Sequence, residues 1–347
     1  MIPKIVRRGL PLLPLAALAG CNTVVMNPTG DIAKQQADLI TISVLLMLII
    51  IVPVMILTVL FAWRYRKGAD AKYTPDWDHS TKLELVIWGA PLLIIIVLGL
   101  ITWVSTHKLD PYRPLDRIDE HRPIPASTKP LEVQVVALDW KWLFIYPEQG
   151  IASVNELVTP VDVPVRFKIT SSTVMNTFYI PTLAGMIYAM PGMETTLNAV
   201  LNKPGNYQGL SANFSGEGFS HMKFGYKGVS ADEFDAWVQK MKTNPGVLNR
   251  ADYLALEKPS VREPVRYYGQ VEPALFNRVL NRCVAEGSVC MNQQMADDHK
   301  RNQVAAAIKA LPKAATAQVA NAEVCETPAA GNPNNPVKKY PCKTHST

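Results

Sequence analysis

The sequence predicts a two-helix transmembrane hairpin, an all-β sandwich or small barrel outside the membrane, and a small C-terminal α-helical region. Three observations carry this reading. Residues 39–63 and 85–104 hold no charged side chain, and each stretch reaches the ~20 apolar residues a spanning helix needs. Between 131 and 229 short segments alternate apolar and polar residues, as strands with one buried face do. At Ser230 the spacing changes to that of an amphipathic helix.

Taken in order, the chain opens on a targeting segment. Lys4, Arg7 and Arg8 precede an apolar run from Leu10 to Leu18 that is too short to span a bilayer. The run closes on Leu18-Ala19-Gly20-Cys21, the pattern of a bacterial lipoprotein processing site: small residues before the cut, then a thiol to carry the lipid. Residues 1–20 are therefore expected to be a signal peptide, with Cys21 the lipidated mature N-terminus, palmitate included, and 21–38 a periplasmic segment. Transmembrane helix 1 is expected at 39–63, a cytoplasmic loop at 64–84 and transmembrane helix 2 at 85–105. Pro53 and Pro91 fall inside the spans, where a proline can kink a helix. The loop carries Arg64, Arg66, Lys67, Lys72 and Lys82, whereas 21–38 carries Lys34 alone. The positive-inside rule puts the loop in the cytoplasm and all that follows Val104 in the periplasm. That agrees with an external Cys21, so the expected location is the bacterial inner membrane, multi-pass and lipid-anchored.

Residues 106–130 hold five prolines, at 111, 114, 123, 125 and 130, among mixed charges, and read as an extended linker. In the exterior domain, 131–229, Leu131–Leu138, 165–170 and 222–226 alternate most clearly, with Pro and Gly at short intervals between them. The C-terminal region, 230–311, opens on a capping box, Ser230 to Glu233. Phe234, Trp237, Val238 and Met241 follow at helical spacing, and a second helix is expected over 273–286 with Leu275, Phe276, Val279, Leu280 and Cys283 on one face. Residues 312–347 are Ala-, Asn- and Pro-rich and read as a loose tail. Past Cys21 the cysteines are Cys283, Cys290, Cys325 and Cys342. An even number in an oxidising space suggests disulfides, the simplest pairing being 283–290 and 325–342. No C-x-x-C and no paired histidines accompany them, which argues against a metal site. The net charge of +6 is spread along the chain with no basic patch interleaved with aromatics, which argues against nucleic acid as a partner.

Two stretches carry the chemical signal. Residues 209–222, Gly-Leu-Ser-Ala-Asn-Phe-Ser-Gly-Glu-Gly-Phe-Ser-His-Met, have the length and glycine spacing of a copper-binding loop but no cysteine. Ser211 and Ser215 stand four apart where a soft copper site would place thiolates. His221 is the one histidine of the domain and reads as a loop residue, not a ligand. Met175, Met186, Met190 and Met193 read as packing and interface filler. Residues 139–146, Asp-Trp-Lys-Trp-Leu-Phe-Ile-Tyr, are dense in aromatics. Packing on a sheet explains them; the sharper reading makes Trp140 and Trp142 an aromatic docking or electron-transfer surface. Glu84 begins the second span at its cytoplasmic edge, as a solvated interfacial acid or the mouth of a proton path.

The collinear order of lipobox, two spans, 139–150, 174–181 (Val-Met-Asn-Thr-Phe-Tyr-Ile-Pro), Met190-Pro-Gly-Met193 and the loop 209–222 resembles subunit II of the haem–copper respiratory oxidases, specifically of the bo-type ubiquinol oxidases. The likeness runs from about Cys21 to Leu280, and 267–275 resembles the aromatic-rich C-terminal region of the quinol-oxidising members; the tail with Cys325 and Cys342 departs from the pattern. The resemblance implies a cupredoxin-like sandwich at 131–229. In the branch that oxidises cytochrome c this domain holds a two-copper centre. At the matching positions here stand Asn176 and Phe219 for histidines, Ser211 and Ser215 for cysteines, Asn213 for a glutamate, and a retained Met222. Serine hydroxyls do not replace bridging thiolates, so no metal is expected in this chain. The resemblance further implies a proton-pumping ubiquinol oxidase that reduces oxygen to water. Haems, CuB and ubiquinol would lie in subunit I, with subunits III and IV and membrane lipid as further partners. Glu84-Leu-Val-Ile-Trp88-Gly-Ala-Pro91 matches the place of a glutamate that aids proton entrance into subunit I. Two alternatives stand beside this: a copper-bearing cytochrome c oxidase subunit II, and a free-standing tethered periplasmic binding protein.

Overall fold

The computed structural model describes residues 23–72, 76–125, 127–309, 324–326 and 339–341, in two compact units, Met1–Glu286 and Gly287–Thr347. The first unit opens with two long helices, α1 (Asp31–Arg64) and α2 (Thr81–Lys108). Most of their apolar side chains, Leu45, Ile49, Val59, Leu85, Trp88 and Leu93 among them, point outward. An apolar surface of that extent suits hydrocarbon, not water. Pro53 and Pro91 lie inside continuous helices. Both helices outrun the charge-free spans. The added first turns of α1 are held by protein: Asp31, Ala33 and Ala37 are buried, and the Asp31 carboxylate accepts from Arg117 Nε at 2.9 Å and Gln35 Nε2 at 2.7 Å.

The proline-rich stretch after α2 is not the free linker its composition suggests. It forms a short hairpin, β1 (Arg117–Asp119) and β2 (Arg122–Pro123), strapped to the exterior domain. Asn198 Nδ2 donates to the carbonyls of Pro111 (3.1 Å) and Arg113 (3.2 Å), and Asn202 Nδ2 to that of Ile118 (2.9 Å). Arg122 makes two bonds, 2.9 and 2.8 Å, to Asp162. Prolines deny this segment a ladder of its own, but its free carbonyls are collected by asparagine side chains.

The domain contains β3 (Leu131–Leu138), β4 (Lys141–Tyr146), β5 (Ile151–Val154), β6 (Glu156–Pro160), β7 (Pro164–Ser171), β8 (Asn176–Tyr179), β9 (Ile187–Ala189), β10 (Thr195–Val200), β11 (Gly205–Ser211) and β12 (Lys223–Val229). One sheet runs β6-β12-β11-β8-β9. The other runs β10-β7-β3-β4-β5 and is extended at its edge by β14 (Arg266–Tyr268) from the C-terminal region. The β3–β7 and β6–β12 pairs are parallel and the remaining pairs of these two sheets antiparallel. Between the sheets lies an aromatic core in which Phe178 and Phe224 stack at 5.5 Å and Trp142 meets both edge-on.

The C-terminal region comprises α3 (Ala231–Lys242), β13 (Val247–Leu248), α4 (Arg250–Glu257), β14, β15 (Gln270–Val271) and α5 (Leu275–Leu280). The capping box of α3 is formed, Ser230 Oγ accepting from Glu233 N and Glu233 reaching back to Ser230 N at 2.9 Å. The helix expected over 273–286 is only α5; Arg282, at φ +54°, lies past its end. Leu248, Tyr253, Leu256, Phe276 and Val279 cover the outer face of β3, β4 and β5 in a second core with Val136, Leu143 and Val154. The middle of the large sheet is therefore buried on both faces, and every residue of β4 is buried. That corrects the expectation of an aromatic surface at Trp142. It faces the inter-sheet core with no exposure, because strand alternation turns it toward the other sheet while Lys141 and Leu143 face the C-terminal cover.

The second unit contains α6 (Met291–Lys309) and an antiparallel pair, β16 (Val324–Glu326) with β17 (Lys339–Pro341). The expected signal peptide, Cys21, Cys342 and most of the expected tail lie outside the described residues.

Candidate functional site

The positions that match a copper centre gather at one end of the sandwich, where β8, β11 and the loop before β12 converge. Ser211 and Asn176 are buried. Ser211 Oγ lies 3.3 Å from Asn176 Oδ1, 3.3 Å from the Asn213 carbonyl and 3.4 Å from the Thr177 amide that donates to it. Asn176 Nδ2 donates to the Val174 carbonyl (3.1 Å) and Asn213 Nδ2 to that of Met175 (3.1 Å). Met222 is 1% exposed and belongs to the aromatic core. Phe219 packs edge-on against exposed Phe214 at 5.6 Å. The polar groups of Ser211, Asn176 and Asn213 are turned to one another and to the backbone, whereas the buried Ser215 Oγ has no hydrogen-bond partner among the described residues.

Trp140 lies against this loop. Asp139 and Trp140 form the two-residue connection between β3 and β4, Leu138 pairing with Lys141. Trp140 adopts φ +64°, a left-handed conformation that is an outlier for so bulky a residue. It is held there by the copper-like loop: Trp140 Nε1 donates to the Ser215 carbonyl at 3.1 Å. A Cβ on Gly218 would sit 2.4 Å from Trp140 Cδ2, so only glycine lets the loop lie flat on the indole. The loop thus closes over an aromatic ring. Of the paired aromatic candidates, Trp140 is half-buried under the loop and Trp142 is core.

The donor set decides the metal question. A dinuclear copper site needs thiolate and imidazole donors, whereas these positions offer two hydroxyls, two amides, a phenyl ring and a thioether. These residues do not fit such a centre. His221 is exposed, its Nε2 3.4 Å from Arg262 of the C-terminal region. Val174 and Met175, just before β8, Tyr188, paired with Thr177, and Phe214 of the loop are exposed at this end of the domain.

Beside this site Lys141 is a buried cation that sequence reasoning missed. Its Nζ donates to the Lys258 carbonyl (2.7 Å) and to Ser260 Oγ (2.6 Å). Burial pushes its pKa down, opposed by the Glu263 and Asp139 carboxylates. Glu257, close to Tyr253 Oη, has its pKa pushed up by burial. The clue was a lysine between two tryptophans in a strand, a place where a charge must find internal partners.

At the far end of the molecule Glu84 lies in the first turn of α2, beyond its N-cap Ser80. An acid there is favoured by the helix dipole. Its Oε1 is 3.3 Å from His79 Nδ1, and both side chains are more than half exposed. Cys283 and Cys290 are each disulfide-bonded.

Comparison with known proteins fits this arrangement. Residues 132–229 match the family model described as cytochrome c oxidase subunit II, periplasmic domain, and 242–287 match the COX aromatic rich motif. The chain is 50% identical over 274 residues to cytochrome bo(3) ubiquinol oxidase subunit 2 of Pseudomonas putida, covering 79% of this chain and 84% of that one. It is 49% identical over 281 residues to ubiquinol oxidase subunit 2 of Acetobacter aceti, covering 81% and 89%. With its counterpart from Pseudomonas aeruginosa the identity is 48% over 276 residues, covering 79% and 81%.

Proposed function

The chain belongs to the family of ubiquinol oxidase subunits II, and from that membership we propose that it is the non-redox cap of a proton-pumping complex that oxidises ubiquinol and reduces oxygen to water. The observation that carries the reading is the closed loop: Ser211, Asn176 and Asn213 bond one another and the backbone, and the loop rests on the Trp140 indole through the Ser215 carbonyl. A domain without copper offers a soluble metalloprotein donor no place to deliver electrons, whereas a membrane quinol reaches subunit I directly. Haems, CuB and quinol then lie in subunit I, with subunits III and IV completing the complex. The exposed apolar side chains of Val174, Met175 and Phe214 support docking of this end of the domain on subunit I.

Glu84 serves as a cytoplasmic proton entrance. Cys21 carries the lipid anchor, and the cysteines pair 283–290 and 325–342 in the periplasm. The test is the purified native complex. It should oxidise ubiquinol and not reduced cytochrome c, and contain one copper per complex; two further coppers with a purple absorption would refute the reading. In the same preparation Glu84→Gln should lower turnover and proton release together, and unchanged values would remove the proton role.

A further inference from the structure

The geometry points to a phospholipid site with a zwitterionic, amine-bearing headgroup, of the phosphatidylethanolamine class, at the periplasmic end of the helix pair. Two cavities adjoin there and share Gln36, Leu109, Asp110 and Pro111. The upper one, about 300 Å³, lies among the start of α1, the end of α2 with the strap after it, and the domain residues Gly185, Met186, Leu197 and Asn198. The lower one, about 480 Å³, runs down between the helices past Leu39, Ser43, Thr102 and Ser105. Volumes of this order hold small ligands. By the topology above, the lower groove opens at the outer leaflet, where headgroup gives way to acyl chain.

The charges select the headgroup. The upper cavity is lined by three acids, Asp31, Asp110 and Asp116, and three bases, Lys108, Arg113 and Arg117. Four of these are spent internally: Asp31 with Arg117 at 2.9 Å and Arg113 with Asp116 at 2.8 Å. Among the described residues Lys108 has no ionic partner, and the Asp110 carboxylate is engaged only by its own turn, Oδ1 accepting from Tyr112 N at 2.9 Å. One unpaired cation and one underused carboxylate therefore line the same cavity. A phosphate on Lys108 and a primary ammonium on Asp110 satisfy both. A headgroup with only negative charge would leave Asp110 opposed to it. Below, the Ser43 and Ser105 hydroxyls, with no bonds to other side chains among the described residues, sit at the level of the glycerol esters. Leu39 and Leu109 flank the start of the acyl chain.

The test uses the intact complex, purified in mild detergent. A diazirine-tailed phosphatidylethanolamine should label segments 36–43 and 102–117 of this chain. Unlabelled phosphatidylethanolamine should compete, and phosphatidylglycerol should compete about tenfold less well, the effect of one misplaced charge. Lys108→Glu should abolish the labelling and remove one retained lipid from the native mass spectrum, while Lys108→Arg should keep both. If Lys108→Glu fails to assemble, the headgroup competition on wild-type complex still decides. Equal competition by both lipids would overturn the proposal, as would cross-links from a photoreactive residue at Ser105 to another subunit in place of lipid.

Discussion

Gly30→Ala tests how the exterior domain is fixed to the membrane helices. Gly30 is the N-cap of α1 with ordinary extended dihedrals, φ −119° and ψ 157°, so alanine meets no conformational penalty. Space is the obstacle: a Cβ would lie 2.6 Å from the Val200 carbonyl oxygen and 2.8 Å from that of Leu183. Both are main-chain atoms and cannot swing aside. Relief requires the segment to draw away from the domain. That stretches four backbone bonds: Thr29 N to Thr182 O (2.8 Å), Gly30 N to Thr182 O (3.1 Å), Ala33 N to Leu183 O (3.2 Å) and Asn202 N to Thr29 O (2.8 Å). At about 1 kcal/mol net each, losing two to four costs about 2–4 kcal/mol. Hydrogen exchange on the intact complex reads this directly, and the amides of 29–33 and 202 should exchange roughly 30- to 1,000-fold faster. Gly225→Ala is the control, since a Cβ there has nothing within 4 Å. Unchanged protection at 29–33 in Gly30→Ala would refute the argument that backbone contact at this point holds the domain.

Three further outcomes follow from the site. Trp140→Gly relieves the left-handed backbone but removes the ring and its bond to Ser215. Exchange across 211–222 should rise by an amount corresponding to about 2–3 kcal/mol, and an unchanged loop would mean the indole is not what closes it. Glu257 has a folded-state pKa raised by burial, so the folded state holds its proton more tightly than the unfolded one. Its contribution is full below the ordinary glutamate value of 4.5 and is lost as pH rises through the raised value; Glu257→Gln should flatten the melting temperature of the complex against pH over that window, and an identical slope in both proteins would exclude Glu257 as its source. His79→Ala removes the 3.3 Å contact to Glu84, worth at most ~1 kcal/mol at an exposed site. It should lower turnover less than Glu84→Gln and add nothing in the Glu84→Gln background, whereas additive losses would show that His79 acts elsewhere.

What was legible in the sequence depended on how many neighbours each residue answers to. The spans at 39–63 and 85–104 were legible because one solvent, lipid, acts on whole helical turns. Their ends were not, because the first turn of α1 is fixed by Arg117, far along the chain. Strand β3 alternates at its start and is legible as a strand, but the face Trp142 takes is not, because β4 is covered on both sides. A strand of that kind carries no alternation to show which face a given aromatic takes. Helix α4 was missed although Asn249 accepts from Asp252 N as a cap; eight residues are too few for periodicity to stand out. The metal-ligand substitutions at 211, 213, 215 and 219 were readable as chemistry, but the inward turn of Trp140 was not, since no local pattern favours φ > 0 at tryptophan.

That turn gives the site its physical logic. A metal centre staples a loop by bonds from several strands at once, and a loop that lacks such bonds must be ordered by weaker contacts. Here the work is divided. Hydrogen bonds through Ser211, Asn176 and Asn213 join the loop to β8; the Trp140 indole supports it from the β3–β4 connection; and Arg262, from the segment held by Lys141, touches its far end at His221. Each hydrogen bond contributes about 1 kcal/mol, and the three sets of contacts share the ordering of this end. The aromatic-rich C-terminal region is then more than an appendage: by adding β14 to the large sheet and burying Lys141, it braces from behind a loop that no metal holds from within.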